Sequence, residues 1–217
     1  MALAIFDLDN TLLGGDSDYL WAEFLVENNI VDGDDYQKTN QAFYDQYLDG
    51  TMDIFAFLAF QLKPLAENTI ADLYLWRERY LSEKIDPIIL PAAKALIAHH
   101  QQQGDTLLII TATNSFITAP IAEKFGIQNL IATEPEISNG VYTGNVAGTP
   151  SYKEGKVERL NEWLADQKHT LKDSYFYSDS HNDLPLLNLV DNPVAVDPDP
   201  QLQRVAEQQH WKIVSLR

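Results

Sequence analysis

Across 217 residues, Asp and Glu outnumber Lys and Arg 32 to 15, a formal charge of −17, and there is no cysteine. That balance excludes the broad positive footprint that nucleic-acid or anionic-membrane binding requires, so neither partner is expected. The missing thiols exclude disulfides, thiolate metal sites and a Cys nucleophile, which suits a cytoplasmic protein. At 45% hydrophobic residues the chain can bury a sizeable core, as one large domain or one domain with an insert. The longest apolar run, Ile54 to Phe60, is far short of the roughly 18 residues of a membrane span.

The chain opens on an apolar run, Ala2 to Phe6, that reads as a short strand buried on both faces. It leads into Asp7-Leu8-Asp9-Asn10-Thr11-Leu12-Leu13-Gly14-Gly15. Residues two apart in an extended segment share a side, so Asp7 and Asp9 face the same way at a strand end. In open α/β sheets that end is where ligands bind. Two like charges so close call for a cation between them or a retained proton. Both solutions suit phosphoryl transfer, through a Mg²⁺ site, a carboxylate nucleophile and a carboxyl that shuttles a proton. The plainer alternative is a polar turn, for which Asp and Asn are common residues.

Beyond Gly15 the pattern becomes helical. Tyr19, Leu20, Phe24 and Leu25 form a stripe behind the cap residues Asp16 and Ser17. Further helices are predicted over Asp35–Leu48, Asp53–Leu62 and Thr69–Lys84, separated by Gly33, Gly50 and Pro64. Residues 15–91 thus read as an all-helical insert whose aromatics mostly form its core, with Tyr19 and Trp21 foremost among those able to face a site. Pro91 opens a helix to about Gln103, where His99 and His100 read as its solvated end. Thr106–Thr111 is a second buried strand, ending in Thr111-Ala112-Thr113-Asn114-Ser115. A helix carrying Ala122, Phe125 and Ile127 inward follows, then a strand at Leu130–Thr133 and a hairpin signal at Asn139-Gly140. Lys153–Asp166 and Asp183–Leu189 are predicted helices, and Ser174–Ser178, Val194–Val196 and Trp211–Leu216 predicted strands. Alternation from 91 onward indicates a mostly parallel sheet covered by helices on both faces, which the first strand must rejoin. The strand ends at Asp7/Asp9, at Thr111 and at Asp179–Asp183 then share one edge.

This combination resembles the haloacid dehalogenase superfamily, in its phosphoserine-phosphatase-like branch with a helical cap. The motifs stand here as Asp7-Leu8-Asp9-Asn10-Thr11, Ile109-Ile110-Thr111, Lys153-Glu154-Gly155-Lys156-Val157 and Ser178-Asp179-Ser180-His181-Asn182-Asp183. The resemblance implies a Rossmann-like core over 1–14 and 92–217 with residues 15–91 as the cap. It also implies a Mg²⁺-dependent phosphomonoesterase in which Asp7 is the nucleophile and Asp9 the acid and base. Mg²⁺ is then held by Asp7, the carbonyl of Asp9 and Asp179, with Asp183 as ligand or support. Thr111 and backbone groups near Thr113 and Asn114 contact the phosphoryl oxygens. The family's lysine precedes a Gly, where this chain has Glu154, so Lys156 is favoured and Lys153 is the alternative. Asp16 matches a carboxylate that binds a substrate ammonium in phosphoserine phosphatases, or else it simply caps a helix. Those enzymes also carry a cap arginine for the substrate carboxylate, and Ile54–Phe60 holds no basic residue; Arg77 and Arg79 are the nearest and read as surface residues.

A missing arginine disfavours a carboxylate-bearing substrate and favours a small phosphorylated metabolite with an amine and a flat heterocycle. Histidinol phosphate fits, and the chain looks like bacterial members of this branch assigned that activity. Phosphoserine is the competing substrate. A phosphomutase would need a basic cluster that residues 15–91 lack. A non-catalytic phosphate-binding or regulatory relative would have lost a motif residue, and only the lysine position is irregular. His181, although inside the fourth motif, is expected to pack or face solvent. Oligomeric state stays open.

Overall fold

The structure is a computed structural model and describes residues 2–217. Strand β1 (Leu3–Phe6) is buried at every position, and its alternate side chains enter two separate cores. Ala4 and Phe6 join one face, Leu3 and Ile5 the other, as the unbroken apolar run requires. β1 pairs in parallel with β2 (Thr106–Asn114) on one side and β5 (Tyr175–Ser178) on the other. β3 (Asn129–Ser138), β4 (Val141–Ala147), β6 (Asn192–Val196) and β7 (Lys212–Val214) complete a seven-stranded sheet of order β4-β3-β2-β1-β5-β6-β7. Among the described strands of the sheet, only the β3–β4 pair is antiparallel; its turn, Asn139-Gly140, has φ of 51° and 80°, the left-handed values a type I′ hairpin needs. The expected α/β class stands. Strand order reverses direction between β1 and β5, so Asp7 and Asp179 lie at a topological switch point.

Four helices, α1 (Ser17–Glu27), α2 (Gly33–Leu48), α3 (Ile54–Glu67) and α4 (Ile70–Tyr80), form an insertion between β1 and β2. α5 (Pro91–Gln103) and α6 (Ser115–Lys124) cover the face of Phe6, while α7 (Glu154–Gln167), α8 (Leu184–Leu187) and α9 (Pro200–Gln208) cover the face of Ile5. Among the described residues, no helix is long and apolar enough to cross a membrane.

Several expectations need correction. Pro64 does not stop α3, because Leu65 beyond it is buried in the core and the Asn68 side chain caps the Pro64 carbonyl at 2.9 Å. The helix predicted to run to Lys84 leaves α geometry at Tyr80 and continues as a π turn over Leu81–Ile85, which seats Ile85 in the core. Residues 183–189 hold only the short α8 behind a 3₁₀ turn. α9 was not anticipated, although Asp199-Pro200 is a proper start: the Asp199 side chain accepts from the N–H groups of Gln201 and Leu202. His100 is not solvated. It is 2% exposed, its ring nitrogens lying 2.9 Å from Asp105 and 2.8 Å from the Tyr177 hydroxyl.

Candidate active site

Asp7 follows β1 directly, and its N–H reaches the Tyr177 carbonyl at 2.9 Å, one pairing beyond the strand. The chain then folds tightly, with the N–H groups of Leu12 and Leu13 both on the Leu8 carbonyl and Asn10 at φ 56°. Leu8 is fully buried, so its neighbours Asp7 and Asp9 turn the other way and line a cavity at the sheet's carboxyl edge.

Lys156 lies 2.8 Å from Asp7 Oδ1 and 2.7 and 2.9 Å from the two oxygens of Asp183, a buried triad that also takes the Ser178 hydroxyl at 2.7 Å. Gly155, just before this lysine, packs so closely against Pro150 that a Cβ there would run into the Pro150 carbonyl oxygen. Lys153 instead leaves the backbone at φ 48°, and its ammonium donates to the Gly50 carbonyl at 2.8 Å. Of the two lysines, Lys156 is the one that meets Asp7.

Burial pushes the Asp7 carboxyl up to about 7; Lys156 opposes this, while Asp183 and Asp9 add to it. Burial also works against the charge on Lys156, but Asp183 and Asp7 outweigh it and hold the ammonium above the usual lysine range. Asp9 accepts the Ser17 N–H at 2.6 Å and the Thr113 hydroxyl at 2.8 Å, yet burial still raises its carboxyl. Thr111 Oγ1, 3.5 Å from Asp9, accepts the Thr113 N–H at 3.2 Å. The Thr113 N–H is therefore occupied at the end of β2, and Asn114 turns its side-chain amide to Asp18 at 3.2 Å. Neither was expected to be engaged this way.

Thr11, not singled out from sequence, joins the first and fourth motifs. Its hydroxyl lies 3.3 Å from Asp7 Oδ2 and 3.2 Å from Asp179 Oδ1, and accepts the Asp179 N–H at 3.1 Å. Burial, then Asp7 and Asp183, drive the Asp179 carboxyl well above the carboxylate range. Among the described residues no three carboxylates or imidazoles surround one point as a ready metal cluster. Asp183 explains this in part, being held by Lys156 and Ser178. Asp7 and Asp179 remain, sharing one hydroxyl at the switch point. Such a hard, sparse oxygen set suits an ion that keeps several of its waters, as Mg²⁺ does.

The insertion closes the cavity. Asp16 caps α1, accepting the Tyr19 N–H at 2.8 Å, and burial followed by Asp9 pushes its carboxyl up to about 7. Tyr19, Phe43, Tyr44, Tyr47 and Phe57 are half-buried and line the cavity, so more of the insertion's aromatics face the site than their spacing implied. Trp21 is not among them; it is 1% exposed and stacks on Phe24 within the core. Arg77 binds the Phe116 carbonyl at 2.8 Å and Arg79 binds Glu83 at 3.2 Å, and neither lines the cavity. His181 pairs with Asp199 at 2.8 Å and is likewise outside it.

The model of the haloacid dehalogenase-like hydrolases matches residues 4–188. The chain belongs to this family. It is 47% identical to a histidinol-phosphatase of Neisseria meningitidis serogroup C (strain 8013), over 99% of each chain. A solved protein of unknown function from Bordetella pertussis Tohama I superposes with a TM-score of 0.94 at 43% identity, covering 100% of this chain and 99% of that one. A substrate-bound phosphoserine phosphatase shares the fold, with a TM-score of 0.73 at 17% identity over 100% and 93% of the two chains. The chain is thus a phosphatase of this family, with the fold of the phosphoserine phosphatases. Within that frame sequence reasoning missed Thr11, Ser178 and Asn182. Asn182 anchors the insertion by donating to the Tyr47 carbonyl at 3.0 Å. A signal was there for all three, Thr11 standing in the first motif and Ser178 and Asn182 in the fourth, but no role was read from it.

Proposed function

We propose that this phosphatase hydrolyses a small phosphate ester carrying an amine and a flat heterocycle, with histidinol phosphate as the substrate, through an aspartyl-phosphate intermediate. The observation that carries the reading is the contrast between the cavity's ends: Asp7 and Lys156 paired at one, an acidic and aromatic wall from the insertion at the other. The 47% identical relative of that name supports the same substrate.

Asp7 attacks phosphorus, forming the carboxylate–phosphorus bond as the ester P–O bond breaks, and the Asp9 carboxyl gives its proton to the departing alcohol oxygen. Asp9 then takes a proton from water, whose oxygen attacks phosphorus and frees phosphate from Asp7. Burial raises the Asp9 carboxyl, which favours its protonated form, and the Ser17 and Thr113 bonds fix its direction. The Thr111 hydroxyl donates to a phosphoryl oxygen, and Lys156 offsets charge while keeping Asp7 aligned. Asp7, Asp179 and the Asp9 carbonyl would hold Mg²⁺, the family's usual cofactor, with Asp183 supporting through Lys156 and Ser178. When bound, it screens the phosphate dianion from the carboxylates. Asp16 receives the substrate ammonium.

Phosphoserine fits less well, because the one cation lining the cavity among the described residues, Lys156, is taken by Asp7 and Asp183. Phosphate release with Mg²⁺ from histidinol phosphate and from phosphoserine is the test. Higher kcat/KM for histidinol phosphate is expected. A clear preference for phosphoserine overturns the substrate, and no release from any phosphomonoester favours a binding-only relative.

A further inference from the structure

Deep in the cavity, on the side of the insertion, lies a polar group that the chemistry above does not use. Gln61 on α3 is 1% exposed and lines the cavity. Its amide nitrogen lies 3.5 Å from both the Asp18 main-chain carbonyl and Asn40 Oδ1. Asn40, itself 3% exposed, donates to the Tyr19 carbonyl at 3.3 Å, which turns its oxygen toward Gln61. The Gln61 amide oxygen is thereby directed away from these acceptors and has no partner. A buried acceptor without a donor is costly, and natural structures rarely keep one without reason. Asp18, 5% exposed, lines the same cavity and is oriented by the Asn114 amide at 3.2 Å. Phe43 and Phe57, their centroids 5.5 Å apart, supply an apolar wall beside these groups. Two oriented acceptors beside aromatic faces call for a flat group that donates N–H.

We infer that Asp18 and the Gln61 amide oxygen form a second recognition subsite, separate from the amine contact at Asp16. It accepts the ring N–H of an imidazole-type group lying against Phe43 and Phe57. This rests on the proposed substrate class and assigns the ring's recognition to residues outside the four motifs. Asn40 is a positioning residue, acting through Gln61.

The test compares Asp18→Asn and Gln61→Met with the wild type on histidinol phosphate and on phosphoethanolamine, which has the amine and no ring. The ratio of the two kcat/KM values is expected to fall about tenfold in each variant, as for one lost buried hydrogen bond. Calorimetric affinity for free histidinol should weaken in step. A ratio within twofold of wild type in both variants overturns the subsite. Should Gln61→Met fail to fold, the isosteric Asp18→Asn decides alone. If the wild type prefers another ester, the substrate proposal falls. The subsite is then judged on histidinol binding: wild-type binding weakened by the substitutions supports it, and no wild-type binding overturns it.

Discussion

The cavity's two ends are built on different principles. At the sheet edge Asp7, Lys156, Asp183, Ser178, Thr11 and Asp179 are bonded into one continuous chain, buried except at the half-buried Asp179. The wall from the insertion is half-buried aromatic surface broken by Asp16, Asp18 and an unpartnered Gln61 oxygen. A closed network holds reacting atoms in one arrangement, whereas unsatisfied groups wait for a ligand to complete them. The comparison teaches that rate should reside at the sheet edge and selectivity in the insertion.

The sharpest way to break that division is Asp7→Asn, which keeps the shape and removes the nucleophile; kcat is expected to fall by about 10⁴-fold or more. Near wild-type phosphate release would exclude the covalent route. Lys156→Met leaves Asp7 and Asp183 buried without their cation, at a cost of about 3–5 kcal/mol. For a chain of this size a melting temperature lower by roughly 10 °C should be seen by calorimetry. Unchanged stability would mean that the triad carries no structural weight. On the other wall, Asp16→Asn should raise KM for histidinol phosphate about tenfold with little effect on kcat. An equal fall in kcat would move Asp16 into the chemistry.

The smallest effect belongs to a buried pair away from the cavity, which serves as the control. Burial alone would raise the Asp105 carboxyl, but hydrogen bonds from His100 and the Ala2 N–H outweigh it and hold it below its usual value. A depressed folded-state pKa stabilises the fold above the unfolded carboxylate value of 3.8 and stops doing so as pH falls through the folded value. Asp105→Asn should therefore cost about 1 kcal/mol near neutral pH, a gap that narrows as denaturation is followed into acid, with kcat/KM unaltered. A gap that stays constant into strong acid would contradict this.

Residue order alone marked where the candidate groups stand: an apolar strand leading into Asp7 and Asp9, a second carrying Thr111, and a third opening onto Asp179 and Asp183. Such features are local, because side-chain alternation and strand ends are written in neighbouring residues. Tertiary structure decided which lysine meets Asp7, that Thr11 bridges two motifs, that Trp21 and His100 are interior, and that Pro64 sits within a helix. Each depends on which faces of distant segments meet. Lys153 and Lys156 differ by three positions on paper, and only the folded chain sends one to the carboxylates and the other to the Gly50 carbonyl.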